Sequence, residues 1–418
     1  MPAVRRLDVL LHGQLTGRIE IHRNRSATFS YTPETVTRHA GQPLLSCSLP
    51  VAAEPVGPVP TRNWFANLLP EGEQRASAAA AAGVPAYDDF ALLEAIGWEC
   101  AGAVAVGPEG FKPNRGGHYQ PLTDDEVAAR LDTLPQWPVA GGGVVRSSLG
   151  GVQSKLLLAR TLEGWALPLE GALSTHIIKP EKIEYPGMAA AEGWAMTVAS
   201  AATPAAEVSL QASAQGRPAL MVTRYDREPG NGGTRRIHQE DGCQMLGSPP
   251  LAKYSDSRVK NEDGTPAVRP SLVKISRVLR QYARNPREQL QVLLRQVIVN
   301  IALCNADAHA KNTSVLLTPG GLTVSPLYDV VPTLAFLPAT VTAGLWVGGM
   351  ENITRMTRSH LADEGAAWGI PRRMAEKTVD ETLDRLDAAL DTATERFPSV
   401  PADIPTLVKG QIDRLRQD

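Results

Sequence analysis

The chain is expected to be α+β, with strands gathered near its beginning and helices near its end, and three observations carry that expectation. Residues 7–11, 18–23 and 27–31 are short β-forming runs separated by His12-Gly13, Asn24 and Pro33, the punctuation of an antiparallel meander. Leu290, Leu293, Leu294, Val297, Ile298 and Ile301 fall on one stripe at helical spacing. Residues 374–397 repeat that pattern with Val379, Thr382, Leu383, Leu386, Ala389 and Leu390 on one face.

At 418 residues the chain exceeds what one core can organise. The expected division is a β-rich unit over 1–106, a connector over 107–143, a second strand-rich unit over 144–230 and a lobe of helices over 231–418. In the first unit a proline-rich passage (Pro50, Pro55, Pro58, Pro60) precedes Trp64, Phe65 and Leu68, which read as core residues. An alanine-rich helix follows and is stopped by Gly83-Val84-Pro85, and residues 90–96 form another helix through Phe90, Leu93 and Ile96. The connector is rich in Gly and Pro apart from a helix over 124–131 capped by Thr123. A last helix is expected over 404–415.

Composition narrows the classes. Hydrophobic content of 43% and charged content of 21% are those of a globular protein, and a net charge of −2 gives no general attraction to nucleic acid or anionic membrane. Cys47, Cys100, Cys243 and Cys304 are scattered, without metal-ligand pairing or a framework of bridges, which points to a reducing compartment. No apolar run approaches the roughly 20 residues of a membrane span, and the first residues lack a signal-peptide pattern, so a cytoplasmic location is expected.

Several stretches carry candidate chemistry, each with a bland counterpart. The small-residue run from Gly141 through Ser147, Ser148, Gly150 and Gly151 to Lys155 lies between two β-forming segments. It is either an ordinary hairpin turn or a loop whose N–H groups point at phosphate oxygens. Residues 174–180 read as a strand ending in Lys179, with Glu192 opening a helix over 192–201. That lysine either snorkels to solvent or meets an anion, with Glu192 as its partner. His176 reads as a structural strand residue. Residues 219–227 are a buried strand turning polar at Thr223, Arg224, Tyr225 and Asp226, either a core strand with an exposed tail or a linker facing an adenine, with Asp226 near the ribose.

The most informative stretch runs from Asn305 to Asn312. A helix delivers it, with Asn285 as N-cap and Pro286 in the first turn. Strands over 314–317 and 322–324, joined by Thr318-Pro319-Gly320-Gly321, lead on to Tyr328-Asp329. The spacing Asp307-x4-Asn312, then a hairpin, then Asp329 is the layout of protein-kinase catalytic and metal loops. Asp307 could accept a hydroxyl proton, and Asn312 and Asp329 could reach a hard cation through oxygen. An isolated Asp-x4-Asn is more often a capped loop.

The chain also resembles the HipA family of serine/threonine kinases, the toxins of type II toxin–antitoxin systems. The resemblance is carried in order by Trp64 to Gly72 (WFANLLPEG), Phe90 to Ala103 (FALLEAIGWECAGA), Ser148 to Lys155 (SLGGVQSK), Thr175 to Lys179 (THIIK), Val222 to Arg227 (VTRYDR), Gln239 to Gln244 (QEDGCQ), Ala306 to Asn312 (ADAHAKN) and Leu327 to Val330 (LYDV).

It implies a protein-kinase-like two-lobed fold with a β-rich N-terminal subdomain and an all-α C-terminal lobe, residues 144–230 being the nucleotide-binding part of the N-lobe. It also implies ATP and Mg2+ as cofactors. Asp307 would be the catalytic base, Asn312 and Asp329 the magnesium ligands. Gly150, Gly151, Val152, Gln153, Ser154 and Lys155 would form the phosphate loop. Lys179 would bind phosphates, Thr223 to Tyr225 would be the hinge, and His309, Lys311 and Tyr328 would border the nucleotide. The family's self-modified serine aligns with Ser148, with Ser147 as the alternative, and its modification ejects the loop. The family often carries a glutamate where Thr223 stands and an acid where Ser154 stands.

The implied partners are a helix-turn-helix antitoxin, DNA reached only through that antitoxin, and a protein substrate on the translation machinery, such as an aminoacyl-tRNA synthetase, with no membrane. Two other functions stay open: a nucleotide-binding pseudokinase acting through antitoxin and DNA complexes, and a metal-dependent hydrolase built on Asp307, His309 and Asp329.

Overall fold

A computed structural model describes residues 5–112, 117–134, 139–140, 143–144, 148–151, 153–212, 216–230 and 233–417. Ser147 and Val152, named above, lie outside the described residues.

The first unit is an antiparallel sheet in the order Ala27–Tyr31, Gln14–Ile21, Arg5–Leu11, Val104–Pro108. Its core packs Leu7, Val9, Ile19 and Phe29 against Trp64, Phe65, Leu92, Leu93 and Ile96. Trp64 and Phe65 are therefore core residues, as their apolar context suggested, and the Trp64 indole N–H reaches buried Glu240 at 3.2 Å. Helices Gly72–Ala82 and Asp89–Ile96 match the expectation, and Gly83 closes the former in a left-handed conformation. Helices Pro33–His39 and Pro58–Ala66 were not anticipated. In both, a proline read as a breaker occupies the first turn, where its missing N–H costs nothing.

A second sheet has six antiparallel strands in the order Val208–Ala212, Pro218–Thr223, His176–Pro180, Leu156–Thr161, Gly164–Leu169, His118–Leu122. Its edge strand corrects the connector assigned to 107–143. Residues His118–Leu122 pair with Gly164–Leu169, and the following helix Asp124–Thr133 buries Val127 and Leu131 beside Leu156, Leu158 and Trp165. The Gly and Pro content masked an element that belongs to the sheet. His176 is a structural residue, bonded to Thr175 and Thr223 and set edge-on to Trp165.

The remaining core joins helix Met188–Ser200 to the C-terminal helices around Pro286–Ala302 and Arg372–Arg396. All six stripe residues from Leu290 to Ile301 are buried, as are Val379, Leu383, Leu386 and Leu390. Asn285 stands at the N-cap, but its amide bonds Glu288 rather than the helix backbone. The lobe is not wholly helical. The expected hairpin, Ser314–Thr318 with Gly321–Val324, gains a third strand from His238–Asp241, and Thr342–Val347 pairs with Met350–Asn352. No helix among the described residues is long and apolar enough to cross a membrane.

Candidate active site

Helix Pro286–Ala302 ends where Cys304 takes a left-handed conformation (φ 58°) and turns the chain into a polar loop. That loop is braced by its own backbone and by its neighbours. Ala306 N–H donates to Thr333 Oγ1 at 2.8 Å, Asp307 N–H to Asn305 Oδ1 at 3.2 Å and His309 N–H to the Asp307 carbonyl at 2.7 Å. The Asn312 side-chain amide donates to the same carbonyl at 3.1 Å, which turns its NH2 toward the loop and leaves its oxygen for another partner. Strand Thr342–Val347 comes so close that a Cβ at Gly344 would sit 2.8 Å from the Ala308 carbonyl carbon. Only glycine permits this approach.

Asp307, Asn312 and Asp329 line one cavity of about 740 Å³ together with Lys155, Lys179, His309, Lys311, Tyr225 and Tyr328. This is the size expected of a small-molecule or cofactor site. Its polar wall is formed by the loop after the long helix and its apolar wall by residues such as Ile177, Met196, Val208 and Val222. Asp329 has φ 61°, unusual for a residue with a Cβ. It is held there by Lys179 Nζ, which bonds its carboxylate, and by the neighbouring Tyr328, whose hydroxyl donates to the Lys311 carbonyl at 2.6 Å. Tyr328 also packs 5.6 Å from the Tyr225 ring.

Lys179 bonds Glu192 Oε1 at 2.9 Å and forms an ion pair with Asp329. Burial disfavours the ammonium, but Asp329 and Glu192 outweigh it and hold Lys179 above its ordinary pKa. Glu192 lies within helix Met188–Ser200, a full turn past its start, rather than opening it. Its nearness to Lys179 is therefore a packing contact and not a helix-dipole preference. Partial desolvation raises the Asp329 carboxyl, whose side chain stays 37% exposed, yet Lys179 draws it down to about 2.

Lys155 differs from the other cations here. Its Nζ donates to the Gly150 carbonyl at 3.0 Å, and among the described residues it forms no ion pair. Burial and then the Lys179 charge push it down to about 8. Lys311 is fully served: Asn67 Oδ1 at 2.7 Å, Asp241 Oδ2 at 3.1 Å and Glu71 Oε1 at 3.8 Å. Among the described residues His309 Nδ1 is buried without a partner, and burial followed by the Lys253 charge lowers that imidazole to about 3, so the ring is neutral.

Not every residue expected at the nucleotide offers its side chain to it. Arg224 and Asp226 border the cavity, but their charged groups are consumed in a buried cluster. Arg224 forks onto Asp226 at 2.9 and 2.7 Å and reaches Glu99 at 3.0 Å, while Arg227 contacts Glu99 at 2.9 Å. The Asp226 carboxylate also accepts the Gly102 N–H at 2.7 Å, so the expectation that it meets a ribose is corrected. The Thr223 and Arg224 N–H groups donate to the Glu207 and Thr175 carbonyls, both at 2.9 Å, which removes them as adenine donors. Of the described loop residues Gly150, Gly151, Gln153 and Lys155 line the cavity and Ser154 does not. The Ser148 hydroxyl is buried and donates to the Leu68 carbonyl at 2.7 Å, so it is not presented to the cavity.

Tyr254 was missed. Its hydroxyl donates to Asp307 Oδ1 at 2.8 Å, and its ring stands edge-on to His309 at 5.2 Å. Burial in the cavity wall raises the Asp307 pKa, and the Tyr254 bond works against that rise. Lys253, Asp241, Glu71 and Asn67 also border this centre and were assigned no role. No spacing rule links residues 67, 71, 241 and 254 to 307.

The donor set suits a nucleotide with a hydrated hard cation. Lys155 is a buried cation with no ion pair among the described residues, and Gly150 packs so closely on the N-terminal unit that a Cβ would sit 2.8 Å from the Asn67 carbonyl oxygen. Asn312 and Asp329 provide oxygen atoms, and among the described residues no group of three or more His, Cys, Asp or Glu side chains is gathered to hold a metal ion. A cation here would draw its remaining ligands from water and phosphate, the habit of Mg2+.

The chain is also similar to known proteins. A HipA N-terminal domain family model matches residues 7–107, and a HipA-like C-terminal domain model matches 147–390. The chain is 34% identical over 405 residues to a putative kinase, Y4mE, of Sinorhizobium fredii, covering 94% of both proteins. It is 34% identical over 282 residues to the serine/threonine-protein kinase toxin HipA of Shewanella oneidensis, covering 64% of this chain and 62% of that one. The solved Shewanella oneidensis complex of HipA, HipB and operator DNA superposes with a TM-score of 0.81 at 26% identity, covering 98% of this chain and 95% of that one. The α+β fold is therefore kinase-like, and with family models spanning both halves the chain belongs to the HipA family.

Proposed function

We propose that this protein is an ATP- and Mg2+-dependent serine/threonine protein kinase that acts as a growth-arresting toxin. The observation that carries the proposal is the convergence of Asp307, Asn312 and Asp329 with Lys155 and Lys179 on one cavity. Bound ATP would supply the phosphoryl group, and Mg2+ would offset its charge. Asp307, solvent-accessible at the cavity wall with its pKa raised, accepts the proton of an incoming serine or threonine hydroxyl. Asn312 offers the amide oxygen left by its bond to the Asp307 carbonyl, and Asp329 offers the carboxylate oxygen not held by Lys179. Lys179, oriented by Glu192, and Lys155 hold phosphate oxygens, and the Tyr225 and Tyr328 rings with Thr223 flank the base end.

Self-modification fits one consequence of the geometry. Ser148 cannot be labelled in place, because its hydroxyl is buried against Leu68, so labelling requires the loop to leave. Its departure would take Gly150 to Lys155 away from the phosphates. A phosphopeptide map with label only on Ser147 would reassign the modified residue.

The solved relative in complex with HipB and operator DNA supports a like partner for this chain: a helix-turn-helix antitoxin that restrains the kinase and supplies the DNA contact. The substrate we propose is a component of translation, such as an aminoacyl-tRNA synthetase. The test is transfer of 32P from γ-labelled ATP to the protein itself and to host extract, with Asp307→Ala as control. Incorporation that survives the substitution removes Asp307 as the base, and nucleotide binding without any transfer favours a co-regulator acting through antitoxin and DNA.

A further inference from the structure

We infer that residues 67–74 of the N-terminal unit clamp the phosphate loop, and that Gln74 is a positioning residue for nucleotide binding. The inference rests on the kinase reading above for what the loop binds, while the clamp itself stands on contacts. Ser148 Oγ donates to the Leu68 carbonyl at 2.7 Å, the Glu71 N–H donates to the Gly151 carbonyl at 2.9 Å, and the Gln74 side-chain amide donates to the Lys155 carbonyl at 2.8 Å. Pro70 and Gly151 form a parallel bridge between the first and last of these bonds. The loop from 148 to 155 is thus fastened at its start, middle and end to one strip of a different structural unit.

The strip is a firm support. Gln74 lies in the first turn of helix Gly72–Ala82 and is 3% exposed, and the Asn67 side-chain amide donates to the Asn63 and Ser248 carbonyls at 2.8 and 2.9 Å. Asn67 in turn accepts Lys311 Nζ, so the same strip touches both the loop and the catalytic side of the cavity. Among the described residues Gln74 Oε1 is buried without a partner. A lone buried amide oxygen is costly, and an apolar side chain of the same shape would avoid that cost but lose the bond to Lys155. Retaining the amide makes sense if the position of Lys155 matters, because Lys155 is buried, forms no ion pair among the described residues, and closes its Nζ back on Gly150. Gln74 acts through the Lys155 backbone and touches no reacting atom.

The experiment uses the full-length chain with Gln74→Met, which keeps length and helix propensity and removes the donor, and Gln74→Glu, which places an acceptor against the same carbonyl. Surface Glu73→Gln is the control. Binding of a fluorescent ATP analogue with Mg2+, hydrogen exchange of the peptide beginning at Ser148 and melting temperature are measured for each. The expected result is a rise of about tenfold in the dissociation constant and faster exchange of that peptide, with melting close to the control for Gln74→Met and lowered for Gln74→Glu, whose carboxylate is buried against an acceptor. Unchanged affinity and unchanged exchange in both variants, with a wild type that binds the analogue, overturn the proposal. A wild type that does not bind the analogue overturns the kinase reading instead. The exchange comparison needs no nucleotide, so it still decides the clamp: faster exchange upholds it and equal exchange removes it.

Discussion

Where the N-terminal unit meets the six-stranded sheet, Glu99 and Asp226 meet Arg224 and Arg227, all four at most 8% exposed. Ser174 Oγ bonds both Glu99 and Arg224, and the Gly102 N–H bonds Asp226. Burial alone would raise Asp226, but the two arginines hold it well below the carboxylate range. The cavity is equally buried at its floor but is not closed in the same way. There Lys155 forms no ion pair among the described residues, and burial and its neighbour Lys179 lower it. The first cluster satisfies its charges internally and so fastens two parts of the chain together. In the second, Asp329 and Glu71 offset the desolvation of one charge only in part, and an incoming anion would offset the rest. Both groups of residues bear charge on strands or loops of similar composition, so the presence of charge does not separate structure from function. The presence or absence of a partner does.

The comparison can be broken most severely at the cavity. Asp307→Ala is expected to lower phosphoryl transfer by about 10⁴-fold with little change in melting temperature, as measured by 32P incorporation alongside thermal unfolding. At the junction, Glu99→Gln should do the reverse. It leaves two buried guanidiniums short of a counter-charge and is expected to cost about 3–5 kcal/mol of stability, read by denaturant unfolding. Equal stability in that variant would mean the junction is not the fastening described.

Lys155→Met falls between these extremes. Nucleotide affinity should drop by about 10- to 100-fold, while unfolding shows equal or greater stability, because the buried charge removed had no acidic partner. A marked loss of stability would show that Lys155 is a structural cation like Arg224. The same lysine gives a pH signature. The phosphate prefers the charged ammonium, and the free group titrates near 8, so affinity is full below that pH and falls as pH rises through it. Near pH 8 to 9, binding should take up a proton, detectable by calorimetry in buffers of different ionisation enthalpy. The smallest expected effect is that of Tyr254→Phe. Removing a bond that lowers Asp307 lets burial raise that carboxyl further, so the acid limb of the pH–rate profile moves to higher pH with at most a few-fold change in turnover.

The long helix before the catalytic loop, the hairpin after it and the α+β class could be read directly from the chain. Each is a local pattern: a six-residue apolar stripe, a Thr-Pro-Gly-Gly turn, short runs between breakers. Where local pattern misled, a tertiary contact had outweighed it. The stretch 107–143, outside the helix expected over 124–131, looked like a connector because of its Gly and Pro content, yet Leu122, Val127 and Leu131 are needed to complete a core with Trp165 and Ile178. Pro33 and Pro58 looked like interruptions but begin helices. The strand His238–Asp241 carried no signal of its own and exists because Ser314–Thr318 offered it an edge.

The candidate site divides along the same line. Asp307, Asn312 and Asp329 lie close along the chain, in the loop after one helix and just past one hairpin, so their spacing already suggested that they meet. Arg224 and Asp226 matched a nucleotide-facing pattern equally well, and their assignment turned on Glu99, more than a hundred residues earlier. By itself the sequence determined where the oxygen-bearing side chains of the loop would be, because helices and tight turns are decided by neighbours within a few positions. Only the tertiary structure decided which charges are neutralised and which remain available, because a buried charge takes its role from the groups packed against it, and these come from distant parts of the chain.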